Sequence, residues 1–405
     1  MGLAKLTAMG DDRDVTHTRA WVIAILLWLI TTGITAFEIA PASVLTLVTA
    51  DLGVSPTAVS WLVSVFILGM AVASLPAGLL LDRRDNRLVI LITAVLFLVT
   101  TVWSAWASQT GAFYSLVVAR FFSGAVNVIL WTASINIVGT AFVRSRQGTS
   151  IGFLLTAIPG GFAISHTITP TMAAAIGWQQ SFAVFGLWTA AWTVAFALYT
   201  RGLDVRTHTS IPTRSDFATV LSNRWVWALG GLAFAAFSLN LFFNNWLPTY
   251  LLDEFGFTLA QGGLFAAVFP AIGAVARFAS GTISDRLMGG RRNPIVFGSF
   301  VVIAPLILVI TAVRSVVLLV IVLVVAGFVT QMGVALLLPY VREIVDDNVA
   351  GTALSVLNLV GFGGAFLTPI LTGYIIEYTG GYTMAFVYAT GLAVFGIVLA
   401  WIVPE

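Results

Sequence analysis

Gly78-Leu79-Leu80-Leu81-Asp82-Arg83 closes one long apolar run, and Gly281-Thr282-Ile283-Ser284-Asp285-Arg286 closes another 203 residues later. The offset recurs. Gly148-Thr149, leading to Gly160-Gly161, corresponds to Gly351-Thr352, leading to Gly363-Gly364, and Gly177 corresponds to Gly380. Coincidences in one register across the whole chain argue for a duplicated unit. Two copies in the same orientation are related by an axis along the membrane normal, with a solute site between them near the bilayer midplane.

Outward from these runs, further stretches have the roughly 20 apolar residues needed to cross about 30 Å of hydrocarbon. They fall near 21–49, 57–81, 88–107, 112–141, 147–172 and 179–200, then 225–251, 259–283, 294–312, 315–341, 350–375 and 382–403. The spacing predicts an all-α membrane protein with twelve transmembrane helices in two pseudo-symmetric six-helix bundles. The expected divisions are a tail (1–20), a first bundle (21–200), a linker (201–223) and a second bundle (224–405). Composition agrees: 59% of the 405 residues are hydrophobic and 9% charged, against about a quarter charged in soluble domains. The lipid bilayer is therefore the expected surrounding. Residues 1–20 carry Asp11, Asp12, Arg13 and Asp14 and show no apolar core with a cleavage site, so no cleaved signal peptide is expected.

All Lys and Arg except Arg120, Arg277 and Arg314 fall in the tail, the linker and alternate loops. By the positive-inside rule this predicts cytoplasmic N- and C-termini in the plasma membrane. A net charge of +2 gives no sign of a nucleic-acid partner. There are no cysteines, which excludes thiol catalysis and thiolate metal sites, and His17, His166 and His208 have no ligand spacing. No phosphate-cradling glycine loop is present. No enzyme activity, cofactor or metal is expected.

Gly78-x-x-x-Asp82-Arg83-x-x-x-Arg87 resembles the loop signature of the major facilitator superfamily, and Gly281-x-x-x-Asp285-Arg286, with Arg291 and Arg292 beyond, resembles its second copy. The resemblance implies alternating access by a monomer, with Gly78, Asp82, Arg83, Arg87, Gly281, Asp285 and Arg286 in a gate whose charge pairs hold the inward side shut. Asp85 and Asn86 depart from the pattern, where a glycine and a basic residue are usual, so a relaxed turn is expected. Leu116-x-x-x-Arg120-x-x-Ser123-Gly124 resembles a second family motif, whose arginine is linked with proton coupling. Ala157-Ile158-Pro159-Gly160-Gly161 is a broken version of the antiporter motif. Asn245-Trp246-Leu247-Pro248-Thr249-Tyr250 and Arg277-x-x-x-Gly281 look like the cyanate-permease and anion:cation symporter branches.

An ionisable side chain at a helix centre costs about 2.5–3.5 kcal/mol or more, so it marks function by default. Glu38, Arg120 and Arg277 are such groups. Glu38 and Arg120 lie at similar depth, and two readings stand: a proton-coupling pair in which Arg120 also holds an anion, or a static ion pair locking two helices. Arg277 reads as an anion-attracting group or a helix-end anchor. Asn127, Asn240, Asn244, Gln331 and Asn358 are candidate substrate contacts, although a lone amide is more often helix–helix glue. His166 reads as a packed histidine. The reading as a whole is a proton-coupled carrier of a small organic anion, its partners being that solute and protons. A proton-driven exporter of hydrophobic compounds and a non-transporting solute sensor are the alternatives.

Overall fold

The computed structural model describes residues 14–81, 83–201, 214–346 and 349–404. The first half contains α1 (Asp14–Ser43), α2 (Leu45–Leu52), α3 (Pro56–Leu81), α4 (Asn86–Gln109), α5 (Phe113–Ala141), α6 (Arg144–Leu155), α7 (Ala157–Ile176) and α8 (Trp178–Tyr199). After α9 (Arg214–Ser222), the second half adds α10 (Arg224–Phe255), α11 (Leu259–Leu287), α12 (Asn293–Ala312), α13 (Val316–Ile344), α14 (Ala350–Thr379) and α15 (Thr383–Ile402). Among the described residues twelve helices are long and apolar enough to span a membrane, the fifth being α6 and α7 in series. The first span begins at His17, inside the stretch expected as tail, and Arg214–Ser222 of the linker is helical.

Local chemistry sets the helix ends. The Asn223 side chain accepts a hydrogen bond from Trp225 N to start α10, and Thr258 with Gln261 forms a reciprocal capping box at the start of α11. Buried apolar residues gather in two large cores. One runs from Ala20 to Phe196 and takes in Trp246; the other runs from Val220 to Val403. A smaller cluster with Ile39, Val63, Phe162, Leu241 and Ala365 lies where the halves meet.

The repeat is visible in the packing. A Cβ on Gly124 would strike the Phe66 carbonyl, and one on Gly327, 203 residues on, would strike the Phe269 carbonyl. Gly161 packs on Thr35 in the same way that Gly364 packs on Ser238. In each half, glycine lets the same two pairs of helices cross at backbone distance.

The halves meet mainly through α7 against α11 and α3 against α14, with α1 beside α10. Both described ends and the arginine-rich loops lie on one side, here the terminal side. On the far side Thr57 N donates to Glu377 Oε1 at 2.7 Å, and Asn245 Nδ2 donates to Ser60 Oγ at 3.3 Å. Gly373 lies against Thr57 and Trp246 there, and Gly263 against the His166 carbonyl. The far side is closed. Toward the terminal side, Gly78, Gly281, Gly148 and Gly351 have open space where a side chain would stand.

Candidate functional site

Arg277 lies on α11 at the interface of the halves, 8% exposed. Its Nε donates to Gln331 Oε1 of α13 at 2.7 Å, and its Nη1 donates to the Leu155 carbonyl of the other half at 3.3 Å. That carbonyl is free for a local reason. In an α-helix it would accept from the N–H four residues on, but residue 159 is proline, which has none. The helix breaks at Thr156 accordingly. Among the described residues Arg277 has no carboxylate partner, and its Nη2 is neither bonded nor sealed. A buried guanidinium lacking an internal anion is a place for an external one.

Four of the residues expected to contact substrate come together. Gln331 Nε2 donates to Asn240 Oδ1 at 2.6 Å, and Asn244 Nδ2 donates to the same oxygen at 3.0 Å, so Arg277, Gln331, Asn240 and Asn244 form one buried set. His166 belongs with them, although the sequence reading set it aside. It is buried on α7 with Nδ1 2.9 Å from Ser43 Oγ, and its side chain interacts with Asn244 across the interface. Neither His166 Nε2 nor Asn244 Oδ1 completes a hydrogen bond of full geometry. A lone histidine between Ser165 and Thr167 gave no sequence signal for this; its spacing from Asn244 exists only in the fold.

Asn127 and Asn358 lie elsewhere. Asn127 Nδ2 meets Met70 Sδ at 3.4 Å inside the first half, and Asn358 is half-buried on α14.

Arg120 and Glu38 are neighbours, but their charged groups form no ion pair. Arg120 is fully buried and donates to three backbone carbonyls: Leu62 from Nε and Phe37 from Nη1, both at 2.8 Å, and Glu38 from Nη2 at 2.5 Å. Its guanidinium also lies 4.4 Å from the Phe37 ring centre. With a carbonyl on each nitrogen, Arg120 ties α5 to α1 and α3. Glu38 is the one buried carboxylate among the described residues, and its oxygens make no hydrogen bond there.

The gate residues divide by copy. In the second, Asp285 accepts from Arg292 Nη1 at 2.8 Å, and Arg292 Nε reaches Glu343 at 3.1 Å. Burial works against the Arg292 charge, but the bonds to Asp285 and Glu343 outweigh it and raise its pKa above the ordinary arginine value. These partners all lie within one half. Arg286 is exposed, and Gly281 has open space beside it. In the first copy Asp82 lies outside the described residues, Gly78 is open, Arg83 is exposed in the turn, and Arg87 Nη2 donates to the Ala197 carbonyl at 3.1 Å. Asp85 makes the turn without glycine: its carboxylate accepts from Arg87 N at 2.9 Å and caps α4. The second copy instead uses Gly289 and Gly290 at φ +61° and +86°.

The sequence model of the Major Facilitator Superfamily matches residues 21–368. The chain belongs to that family. This facilitator is 26% identical over 375 residues to a hexuronate transporter of Bacillus subtilis (strain 168), with 85% of each chain covered. It is 25% identical over 363 residues to a probable L-galactonate transporter of Escherichia coli (strain K12), covering 83% of this chain and 79% of that one. Among solved structures, a bacterial homologue of the human lysosomal transporter Spinster, inward-facing and occupied, matches with a TM-score of 0.74 at 17% identity over 95% of both chains. The facilitator is thus a multi-pass membrane transporter with the twelve-helix fold.

Proposed function

We propose that this facilitator takes up a small organic anion together with protons, by alternating access, as a monomer in the plasma membrane with both termini cytoplasmic. The observation that carries the reading is Arg277, a buried guanidinium between the halves with no carboxylate partner among the described residues. Its open Nη2 suits a carboxylate oxygen. The similarity to hexuronate and galactonate transporters supports sugar acids as the first solutes to test.

Glu38 is the proton carrier in this reading, being the one buried carboxylate among the described residues, with no hydrogen bond to its oxygens there. A charge left so in a low-dielectric site costs enough that protonation and reorientation are coupled. The arginine-rich loops support the orientation. The test uses protein in liposomes with labelled glucuronate. Arg277→Gln should abolish uptake and counterflow alike, because it removes the anion's partner. Glu38→Gln should abolish pH-driven accumulation yet keep counterflow, because it removes only the titrating group. Wild-type counterflow in Arg277→Gln would overturn the anion site, and driven uptake in Glu38→Gln would overturn the proton role.

A further inference from the structure

Hydrogen-bond direction in a buried chain of amides is set by its least adaptable member. Arg277 can only donate, so Gln331 turns its oxygen toward Arg277 Nε, 2.7 Å away, and its nitrogen toward Asn240. Asn240 must then present Oδ1, which accepts from Gln331 Nε2 at 2.6 Å and from Asn244 Nδ2 at 3.0 Å. Asn244, its nitrogen committed, is left with Oδ1 directed onward, buried and without a completed bond. Across the interface lies His166, with Nδ1 against Ser43 Oγ and Nε2 open. A neutral His166 offers Asn244 a donor in one tautomer alone, with the proton on Nε2 and Nδ1 accepting from the Ser43 hydroxyl.

We propose that Gln331 and Asn240 are positioning residues for the anion site, and that His166 closes their oriented relay from the opposite half. The inference rests on the reading of Arg277 as the group that holds the anion. Gln331 commits Nε and leaves Nη2 for the solute. Asn240 keeps Gln331 from turning its amide, which would set donor against donor at Arg277. The relay also runs from the anion site to the closed far side, because Ser43 and His166 stand where α7 packs against Gly263. Far-side opening separates His166 from Asn244 and ends the relay in water, so anion site and closure share one set of hydrogen bonds.

Two measurements on the full purified chain test this. Nitrogen-15 NMR of histidine-labelled wild type should show His166 neutral, with the proton on Nε2. A proton on Nδ1, or a charged ring at neutral pH, overturns the relay with no substitution made. Calorimetric titration with glucuronate should show binding weakened about tenfold or more in Asn240→Leu, which keeps the volume and removes the acceptor, and largely restored in Asn240→Asp. The Nε2–H signature should be lost in Asn240→Leu as well. Wild-type affinity in that variant, or an unchanged His166 signature, overturns the positioning role. If Arg277→Gln binds glucuronate as wild type does, it is the anion-site reading that fails, and the tautomer measurement judges the relay by itself.

Discussion

Arg120 and Glu38 show how much a single residue's depth reveals and how much its direction hides. Counting along two helices put both at one level and suggested that their charges meet. A guanidinium carries five N–H donors in a fixed fork, however, and three carbonyls of α1 and α3 take one from each of its nitrogens. Sequence gives the level of a side chain but not the backbone oxygens around its tip. Arg277 was legible as an intramembrane charge. Its free Nη2 was not, because that depends on Gln331 and on a carbonyl from the other half. Arg120→Gln is therefore expected to lower stability by about 3 kcal/mol, since it strands buried carbonyls and removes charge-assisted bonds. Thermal unfolding followed by tryptophan fluorescence checks this; full stability with lost glucuronate affinity would instead assign Arg120 to the anion.

At the scale of the helix, span positions were legible because hydrophobic length is a direct demand of the bilayer. The break in the fifth span was not placed, although its cause, Pro159, was in view as part of a damaged motif. A proline's missing N–H becomes informative only when the orphaned carbonyl finds a partner, and that partner, Arg277, is 122 residues away along the chain. Pro159→Ala should return an N–H to Leu155, straighten α6 into α7 and take the carbonyl from Arg277. Hydrogen exchange at residues 155–160 should slow and glucuronate counterflow should fall severalfold. Unchanged counterflow with slowed exchange would separate the break from transport. The turn at Asp85 teaches a similar lesson: the expected relaxed turn is an aspartate-capped one, which needs no left-handed residue.

For the whole molecule, the offset of 203 carried the duplication and matched Gly161 with Gly364, while the crossing of Gly124 with Gly327 emerged only in the packing. Which side would be closed was not legible, since either arrangement uses the same sequence. The far-side closure includes Glu377, whose carboxylate accepts from Thr57 N and also bonds the Ser55 and Thr57 side chains. It caps α3 from the opposite half. Glu377→Ala should weaken that closure by about 1 kcal/mol after solvent screening, about fivefold in population. Spin labels on cysteines at Gln109 and Tyr378 should then report a larger far-side-open fraction by electron double resonance, and an unaltered distance distribution would remove Glu377 from the closure. The chain contains no native cysteine to interfere. Cysteines at Arg286 and Glu254 should react with an impermeant reagent from opposite faces of the membrane; reaction of both from one face would overturn the topology.

The Arg277 bridge to Leu155 ends on a main-chain oxygen, and every amino acid supplies one. In a saturation library selected for growth on a transported solute, position 155 should accept many apolar side chains, while position 159 should accept little but proline. The position that makes the contact would drift, and the one that merely vacates it would stay fixed, so invariance would mark 159 and pass over 155.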